Sequence, residues 1–274
     1  MLKWDSINNW ARRDSDAGMI PPPFPMRDIM LEAVIAYEQV DLLYQPIFDV
    51  ESGRIAGAEA LARCGIACSA ESLFARADCA RLSERLSRLI QRKALRSAAV
   101  WERPLKNLKI SSILLPADLG RHGYEHWLLD EIEAAAIDPA RITLEITEGA
   151  LLTDSKSAAA RLATLRSAGL QIAIDDIGTG YSSLGYLTSL PLDVLKIDRA
   201  LVAEIGKRER DRILVKSIIR LAKELGLTVV VEGVETAEQL ALLKDWGCDL
   251  YQGYLGSEPI TYDELTRFAA LGAG

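Results

Sequence analysis

The alternation of short apolar runs with helical segments constrains the fold of this chain more than any other feature. Eight runs have the length and composition of buried strands, and the segments between them carry apolar residues at helical spacing. Strands that alternate with helices indicate parallel crossover units, and eight of them predict an α/β fold, a TIM-like (β/α)8 barrel. The predicted strands are 42–48, 55–61, 108–112, 142–146, 171–175, 194–197, 228–231 and 250–254.

The connection between the first two strands departs from this pattern. Only residues 49–54, which are rich in turn formers, separate them. A parallel crossover needs about a dozen residues or more. The sequence therefore predicts a hairpin, in which the first strand runs antiparallel to its neighbour.

Two of the intervening segments illustrate the helical pattern. Segments 157–168 and 211–225 carry apolar residues at helical spacing, and Gly169 and Gly226 follow them directly. Glycine just beyond a periodic segment is typical of a helix C-terminus. Both segments are predicted to be helices that pack on the barrel.

The length of 274 residues fits one barrel and a short appendage. A proline-rich stretch at 21–25 cannot continue a helix, so the domain boundary is placed there. Residues 1–25 are predicted to be an N-terminal extension, either helical or disordered, with Trp4, Ile7 and Trp10 at three-residue spacing. Residues 26–274 are predicted to form the barrel domain.

The net charge and the distribution of apolar residues indicate which partners the chain can bind and in which cellular compartment it is expected. A net charge of −7 argues against DNA, because nonspecific duplex binding depends on cationic groups that release counterions. No apolar stretch approaches the roughly 18 residues of a membrane segment, and the N-terminus lacks the apolar centre of a secretory signal. The four cysteines form no paired CxxC units. A cytoplasmic chain with reduced thiols is the expectation.

Acidic residues recur at the predicted strand ends. In a parallel barrel these ends converge on one face, where the site is built. Lys196 and Arg63 are too few to balance the acids, so divalent cations are the natural complement, and all-oxygen ligands favour Mg²⁺ or Mn²⁺. Two such ions, with one carboxylate bridging them, are suited to phosphodiester hydrolysis. The acids are Glu59, Glu145, Asp175, Asp176, Glu232 and Glu235.

Each of these residues also has a simpler interpretation. A single acid at a strand end is more often a helix cap or a solvated loop residue. Lys196 alone could equally be a structural ion-pair partner. The recurrence of acids at successive strand ends favours the metal site.

Seven short motifs in this order resemble the EAL-domain family of cyclic di-GMP phosphodiesterases. The resemblance spans about residues 30 to 265 and is specific in combination. The motifs are YQPI at 44–47, GAEALAR at 57–63, LEITE at 144–148, DDIGTGYSSL at 175–184, KID at 196–198, EGVE at 232–235 and QGY at 252–254.

The resemblance implies a barrel with a reversed first strand and hydrolysis of cyclic di-GMP to linear pGpG, using two Mg²⁺ or Mn²⁺ ions. It assigns Glu59, Glu145 and Asp175 to one metal. Asp175, Asp176 and Glu232 are assigned to the other.

The remaining roles also follow from the resemblance. Lys196 positions the attacking water and belongs to the catalytic group together with Glu232 and Glu235. Gln45, Arg63 and Gln252 are assigned to the substrate side of the site, with Gln252 also supporting the metals.

A loop that includes Gly178, Thr179 and Gly180 links the metal site to a dimer interface in the family, and Glu148 is similar to the acid that anchors it. The resemblance thus implies a homodimer. Regulation is expected from the N-terminal extension or from a separate protein partner.

Several positions depart from the family pattern. Ser111 stands, within one residue, where the family has an asparagine metal ligand, and a serine hydroxyl is a shorter and weaker neutral ligand. Gly256 replaces a phenylalanine after the QGY motif, and the segment after Arg63 lacks the usual tryptophan and Pro-Gly loop. The alternative hypothesis is therefore a catalytically impaired EAL domain that acts as a cyclic di-GMP receptor or protein-interaction regulator.

Overall fold

A computed structural model describes residues 27–67, 69–147, 155–177 and 185–271 of the chain. Their strands close into one barrel in sequence order, from β1 to β8 and back to β1. This confirms the predicted barrel of eight strands. The strands are β1 (Asp41–Asp49), β2 (Ile55–Arg63), β3 (Lys109–Leu114), β4 (Ile142–Thr147), β5 (Gln171–Ile177), β6 (Val194–Ile197), β7 (Thr228–Val231) and β8 (Leu250–Tyr251).

The first strand is reversed, as predicted from the short connection. β1 pairs antiparallel with both β2 and β8, whereas all other neighbours pair parallel. The turn between β1 and β2 is held by the Asp49 carboxylate, which accepts hydrogen bonds from the backbone N–H and the hydroxyl of Ser52 at 2.7 and 2.6 Å. Gly53 completes the turn at φ 68°, a conformation that favours glycine.

Helices surround the barrel between the strands. The predicted helices at 157–168 and 211–225 correspond to α6 and α9, which confirms both. The helices are α1 (Ile29–Ala36), α2 (Ala70–Cys79), α3 (Ser83–Ala99), α4 (Pro116–Leu119), α5 (Tyr124–Ala135), α6 (Ser155–Ser167), α7 (Gly185–Ser189), α8 (Arg199–Val202), α9 (Glu209–Glu224), α10 (Ala237–Asp245) and α11 (Tyr262–Leu271), with a short 3-10 helix at Pro139–Arg141.

The two faces of the strands have different roles, because successive strand side chains point to opposite sides. Residues such as Ile110, Leu144 and Ile172 belong to the large apolar cluster that joins strands to helices. The residues at alternating positions face the barrel interior. There Ile47, Ala173, Val194 and Val230 form a small separate cluster with Leu250. The fold thus has an outer core and a thin inner apolar layer.

The last strand is shorter than the prediction of 250–254. After Tyr251 the chain pairs with the loop that follows β7. There the N–H of Val234 donates to the carbonyl of Gln252 at 3.1 Å. Gly253 permits this approach, because a Cβ there would lie 2.2 Å from the Val234 carbonyl oxygen. Pairing with a loop therefore replaces the last part of the predicted strand.

The predicted boundary near residue 25 lies outside the described residues. The first helix that the structure describes begins at Ile29, and the Asp28 carboxylate caps it by accepting from the Leu31 N–H at 3.0 Å. Asp28 also pairs with Arg76 of α2 at 2.8 Å. None of the helices in the described part of the chain is both long enough and apolar enough to cross a bilayer.

Candidate functional site

The side chain of Lys196 lies at the centre of four carboxylates in the barrel interior. Lys196 is only 1% exposed, although lysine is rarely buried without partners. Its Nζ is closer than 4 Å to an oxygen of each acid, so the structure brings together five of the predicted site residues. The distances are 2.6 Å to Glu232, 2.9 Å to Glu145, 3.4 Å to Asp175 and 3.9 Å to Glu59.

These residues converge because of the strand period. Glu59, Glu145 and Asp175 lie in β2, β4 and β5 at positions that face the interior, and Glu232 directly follows β7. The strands other than β1 are parallel, so these positions share the carboxyl-terminal half of the barrel. The register between neighbours places acids from distant segments around one lysine.

The two adjacent aspartates reach the same region through a local irregularity. Ile174 pairs with Leu195 and Ile177 with Ile197, so β5 carries one more residue than β6 at Asp175–Asp176. Asp176 has φ 63°, and its N–H donates to Asp175 Oδ1 at 2.9 Å. Such a bulge changes the direction of side chains that would otherwise alternate. Carboxylate oxygens of Asp175, Asp176 and Glu232 consequently lie within 4.8 Å of one another.

The charges in this cluster shift one another's titration. Burial alone would lower the pKa of Lys196, but Asp175, Glu145, Glu232 and Glu59 outweigh it and raise the pKa well above the ordinary lysine value. Burial raises the pKa of Glu145 to about 8, against the opposing effect of Lys196 and with support from Glu59 and Asp175. Burial likewise raises the pKa of Glu232 well above its usual range. One ammonium group is therefore too little positive charge for these acids.

The chemistry of the donors fits hard divalent cations. The acids offer only oxygen ligands, which Mg²⁺ and Mn²⁺ prefer. Glu145 Oε2 lies 2.9 Å from Lys196 Nζ and makes no contact of hydrogen-bonding geometry with the other described residues. Gln252 Oε1 is also buried without a partner in the described part of the chain. Unpartnered oxygens beside clustered carboxylates are what a cation site requires.

Two glutamines extend the cluster toward β1 and β8. Gln252 Nε2 donates to Glu59 Oε2 at 2.8 Å and to Gln45 Oε1 at 3.0 Å. Gln45 Nε2 in turn donates to the carbonyl of Ser257 at 3.4 Å, a contact that the sequence did not indicate. The predicted residues Gln45 and Gln252 thus contact each other and Glu59 directly.

Arg63 lies at the edge of this site. Its Nη1 donates to the carbonyl of Ala62 at 2.9 Å, and it forms no ion pair with the described residues. Burial lowers the pKa of Arg63, and Glu59 opposes that effect. Arg63 therefore interacts with Glu59 through its charge and without a direct ion pair, and its part in balancing the acids stays a prediction.

Glu235 has an exposed side chain and forms no ion pair with the described residues. Its backbone is fixed by Gln239, whose Oε1 accepts from the N–H groups of Glu235 and Thr236 at 2.8 and 2.9 Å. Gln239 was not among the predicted site residues, although the spacing of Thr236 and Gln239 is that of a capping box. Gly233 in the same loop has φ 66°, and a Cβ there would lie 2.2 Å from that of Arg199.

Ser111 lies in β3 beside Glu59, its register partner in β2. It is 4% exposed. The structure therefore places Ser111 next to Glu59, and its correspondence to the family's asparagine stays a prediction.

Gly256 is explained by packing. A Cβ at this position would lie 2.3 Å from Cε2 of the buried Phe48 ring. Phe48 also stacks on Tyr251 with ring centroids 5.2 Å apart. The ring of Phe48, a residue of β1, therefore lies where a side chain at position 256 would have to fit.

Some predicted residues fall outside the described chain. Glu148, Gly178, Thr179 and Gly180 all lie there, so their role in the loop stays a prediction.

The sequence is similar to that of known proteins over most of its length. The EAL domain profile matches residues 28–259. The chain is 34% identical over 244 residues to the "Cyclic di-GMP phosphodiesterase NbdA" of Pseudomonas aeruginosa, covering 87% of this chain and 31% of that protein. It thus spans about a third of the length of this relative.

Solved structures are similar in sequence and in fold. The PaMucR phosphodiesterase in complex with c-di-GMP is 30% identical with a TM-score of 0.77, and the match covers 86% of this chain and all of that one. BlrP1 of Klebsiella pneumoniae, in a manganese/c-di-GMP complex, is 34% identical with a TM-score of 0.73 and covers 81% of this chain and 56% of that one.

Proposed function

Because the chain belongs to the EAL domain family, we propose that it hydrolyses cyclic di-GMP to linear pGpG with divalent cations. The observation that supports this proposal most is the convergence of Glu59, Glu145, Asp175 and Glu232 on one buried position. The relatives named for cyclic di-GMP hydrolysis supply the substrate class.

We assign the cations to two overlapping sets of oxygens. Glu59, Glu145 and Asp175 would hold one Mg²⁺ or Mn²⁺ ion, and Asp175, Asp176 and Glu232 the other. The cluster formed by the last three residues supports the second set. When bound, the cations would acidify a water and neutralise charge on the phosphate.

Lys196 carries a positive charge in the cation-free site. The neighbouring acids raise its pKa well above the ordinary lysine value there, so it is protonated at neutral pH. An ammonium group offers three donors and no acceptor. We assign Lys196 to orienting the attacking water and to stabilising negative charge near Glu145 and Glu232.

Residues around the cluster would orient the substrate. Gln252 holds Glu59 in place through its amide, and the pair Gln45–Gln252 forms one wall of the site. Arg63, beside Glu59, is assigned to a phosphate or guanine of the substrate. Glu235 is assigned to supporting the site from the loop after Glu232.

Domain organisation and assembly are part of the same proposal. We assign residues 26–274 to the EAL barrel domain and residues 1–25 to an extension. A homodimer and a regulatory protein partner are proposed from the family resemblance.

Ser111 favours a second candidate function. A hydroxyl beside Glu59 is a weaker ligand than an amide, so cation binding would be impaired. The chain would then bind cyclic di-GMP as a receptor, or regulate a protein partner, without cutting.

One experiment separates these functions. The purified chain is incubated with cyclic di-GMP and either Mg²⁺ or Mn²⁺, and the nucleotide is analysed by chromatography, with an active relative as positive control. Appearance of linear pGpG is the expected result. Recovery of intact cyclic di-GMP, together with binding by calorimetry, would instead establish the receptor.

A further inference from the structure

A cavity lies inside the barrel beneath Lys196 and Glu145, on the side away from the carboxyl-terminal mouth. Its volume is about 200 Å³. It extends from these two buried residues to Lys109 and Gln171, which begin β3 and β5. The cavity therefore connects the charged cluster with the amino-terminal face of the barrel.

Small side chains create this space. The interior of such barrels is normally filled by bulky branched residues. Here Gly57, Ser111 and Ala173 occupy interior positions of β2, β3 and β5. Gly57 cannot easily be enlarged, because a Cβ there would lie 2.9 Å from the carbonyl oxygen of Lys109. The backbone geometry thus helps to keep the cavity open.

One wall of the cavity carries polar groups. Ser111, Thr143 and Glu145 line it and are 4%, 6% and 1% exposed. Glu145 Oε2 lies 2.9 Å from Lys196 Nζ and makes no contact of hydrogen-bonding geometry with the other described residues. Val194, Val230 and Leu250 form the opposite, apolar wall. Buried polar groups of this kind are normally satisfied by ordered water, and one water occupies about 30 Å³ in the liquid.

Two of the lining side chains contact each other at the lower end of the cavity. Lys109 Nζ donates to Gln171 Oε1 at 2.6 Å. Lys109 is exposed and Gln171 is half-buried, so this hydrogen bond lies between the cavity and solvent. A single hydrogen bond near the surface opens readily.

We propose that this cavity is a water-filled channel, entered from the amino-terminal face between Lys109 and Gln171, with water bound at Ser111, Thr143 and Glu145. Its use rests on the proposed function: hydrolysis consumes a water, and the channel delivers one to Lys196 from the face opposite the substrate.

The channel is tested first on the unmodified protein. A high-resolution crystal structure is expected to show ordered waters within hydrogen-bonding distance of Ser111 Oγ and Thr143 Oγ1. Crystals under xenon pressure are expected to show no xenon in the cavity, because dry apolar cavities take up xenon and hydrated ones do not. An empty cavity that binds xenon would overturn the proposal.

The entrance is tested by thiol labelling. Ala173→Cys places a thiol inside the cavity, and methyl methanethiosulfonate modification is followed for that peptide alone by mass spectrometry. Adding Gln171→Ala removes the hydrogen bond with Lys109, so the entrance should be open more often. We expect the labelling rate to rise about fivefold, because one hydrogen bond contributes about 1 kcal/mol. Adding Gln39→Ala, at an exposed position away from the cavity, is the matched control.

An unchanged rate in the Gln171→Ala protein would show that the reagent enters elsewhere and would refute the entrance. Neither test requires turnover. A chain that labels as expected but does not cut cyclic di-GMP would refute the proposed function and leave the channel in place.

Discussion

Lys196 and Glu145 form an ion pair of 2.9 Å in which each side chain is only 2% exposed. Removing two charges from water costs several kcal/mol per ion, and their mutual attraction offsets this cost only when the geometry is good. Here Lys196 shares its charge among four acids. The pair therefore indicates a site that requires further positive charge, and it is weak evidence for stability by itself.

Lys196→Met should destabilise the cation-free protein. Loss of the ammonium leaves Glu145 and Glu232 buried without their partner; above pH 8, where Glu145 is ionised, such a change typically costs about 3–5 kcal/mol. The free energy of unfolding is measured by urea titration with a chelator present. Arg220→Met, which removes an exposed surface pair with Glu224, is the control and should unfold like the wild type. Equal stability of both variants would contradict the central role of Lys196.

The stability of the cation-free protein should fall as pH rises from about 5 to 9. Burial raises the folded pKa of Glu145 to about 8, whereas an unfolded glutamic acid titrates near about 4.3. The folded state then binds the extra proton, so the stabilisation is complete below the unfolded pKa and is lost as pH passes through the folded one.

Glu145→Gln should reduce this dependence, because the amide does not titrate. Glu232, whose pKa is also raised, would leave a residual slope. Thermal unfolding with a chelator at several pH values measures the effect. If the stability of wild type and variant falls with pH at the same rate, Glu145 is ionised in the cation-free fold.

Asp175→Asn should abolish turnover of cyclic di-GMP. The amide keeps the shape of the carboxylate but removes the charge proposed to bridge both cations. We expect a loss of about 100-fold or more in rate, equivalent to about 2.7 kcal/mol. Initial rates with Mn²⁺ and titration of the cation by calorimetry provide the measurement. Asp130→Asn, at an exposed position of α5, is the control, and near-normal rates in Asp175→Asn would refute the bridging role.

Ser111→Asn should strengthen cation binding. The longer amide oxygen can reach the cation assigned to Glu59 and Glu145, and we expect an affinity gain of about tenfold, or about 1.4 kcal/mol. Calorimetric titration with Mn²⁺ gives the affinity, and cleavage of cyclic di-GMP gives the rate. Ser111→Ala removes the hydroxyl without adding a ligand and serves as the control. If both variants bind the cation like the wild type, position 111 does not limit the site.

Gly256→Ala should destabilise the fold. The added methyl group would overlap the buried ring of Phe48, and overpacking of this kind costs about 1–3 kcal/mol. Gly65→Ala places a methyl group in open space and is the matched control. The midpoint of urea unfolding compares the two. A Gly256→Ala protein as stable as Gly65→Ala would show that the loop moves away from Phe48 without cost.

The strands and the reversed hairpin could be predicted because they depend on local patterns. Each of these features depends on a few consecutive residues. They include the length of the strands, the turn at Asp49 and Gly53, and the glycines after α6 and α9. β8 was predicted too long because its end depends on Val234, a residue of a different loop. A pattern within 250–254 contains no information about that contact.

The sequence by itself indicated which residues belong to the candidate site, since the acids, Lys196 and the two glutamines occupy predicted strand ends or motif positions. Only the tertiary structure decided how they meet. The bulge at Asp175–Asp176, the contact of Lys196 with four acids, the position of Arg63 at the edge and the cavity under Ser111 all follow from the register between strands. That register is set when the barrel closes, because closure fixes the packing of segments far apart in the chain, as in the hydrogen bond between Gln252 and Gln45, which are 207 residues apart.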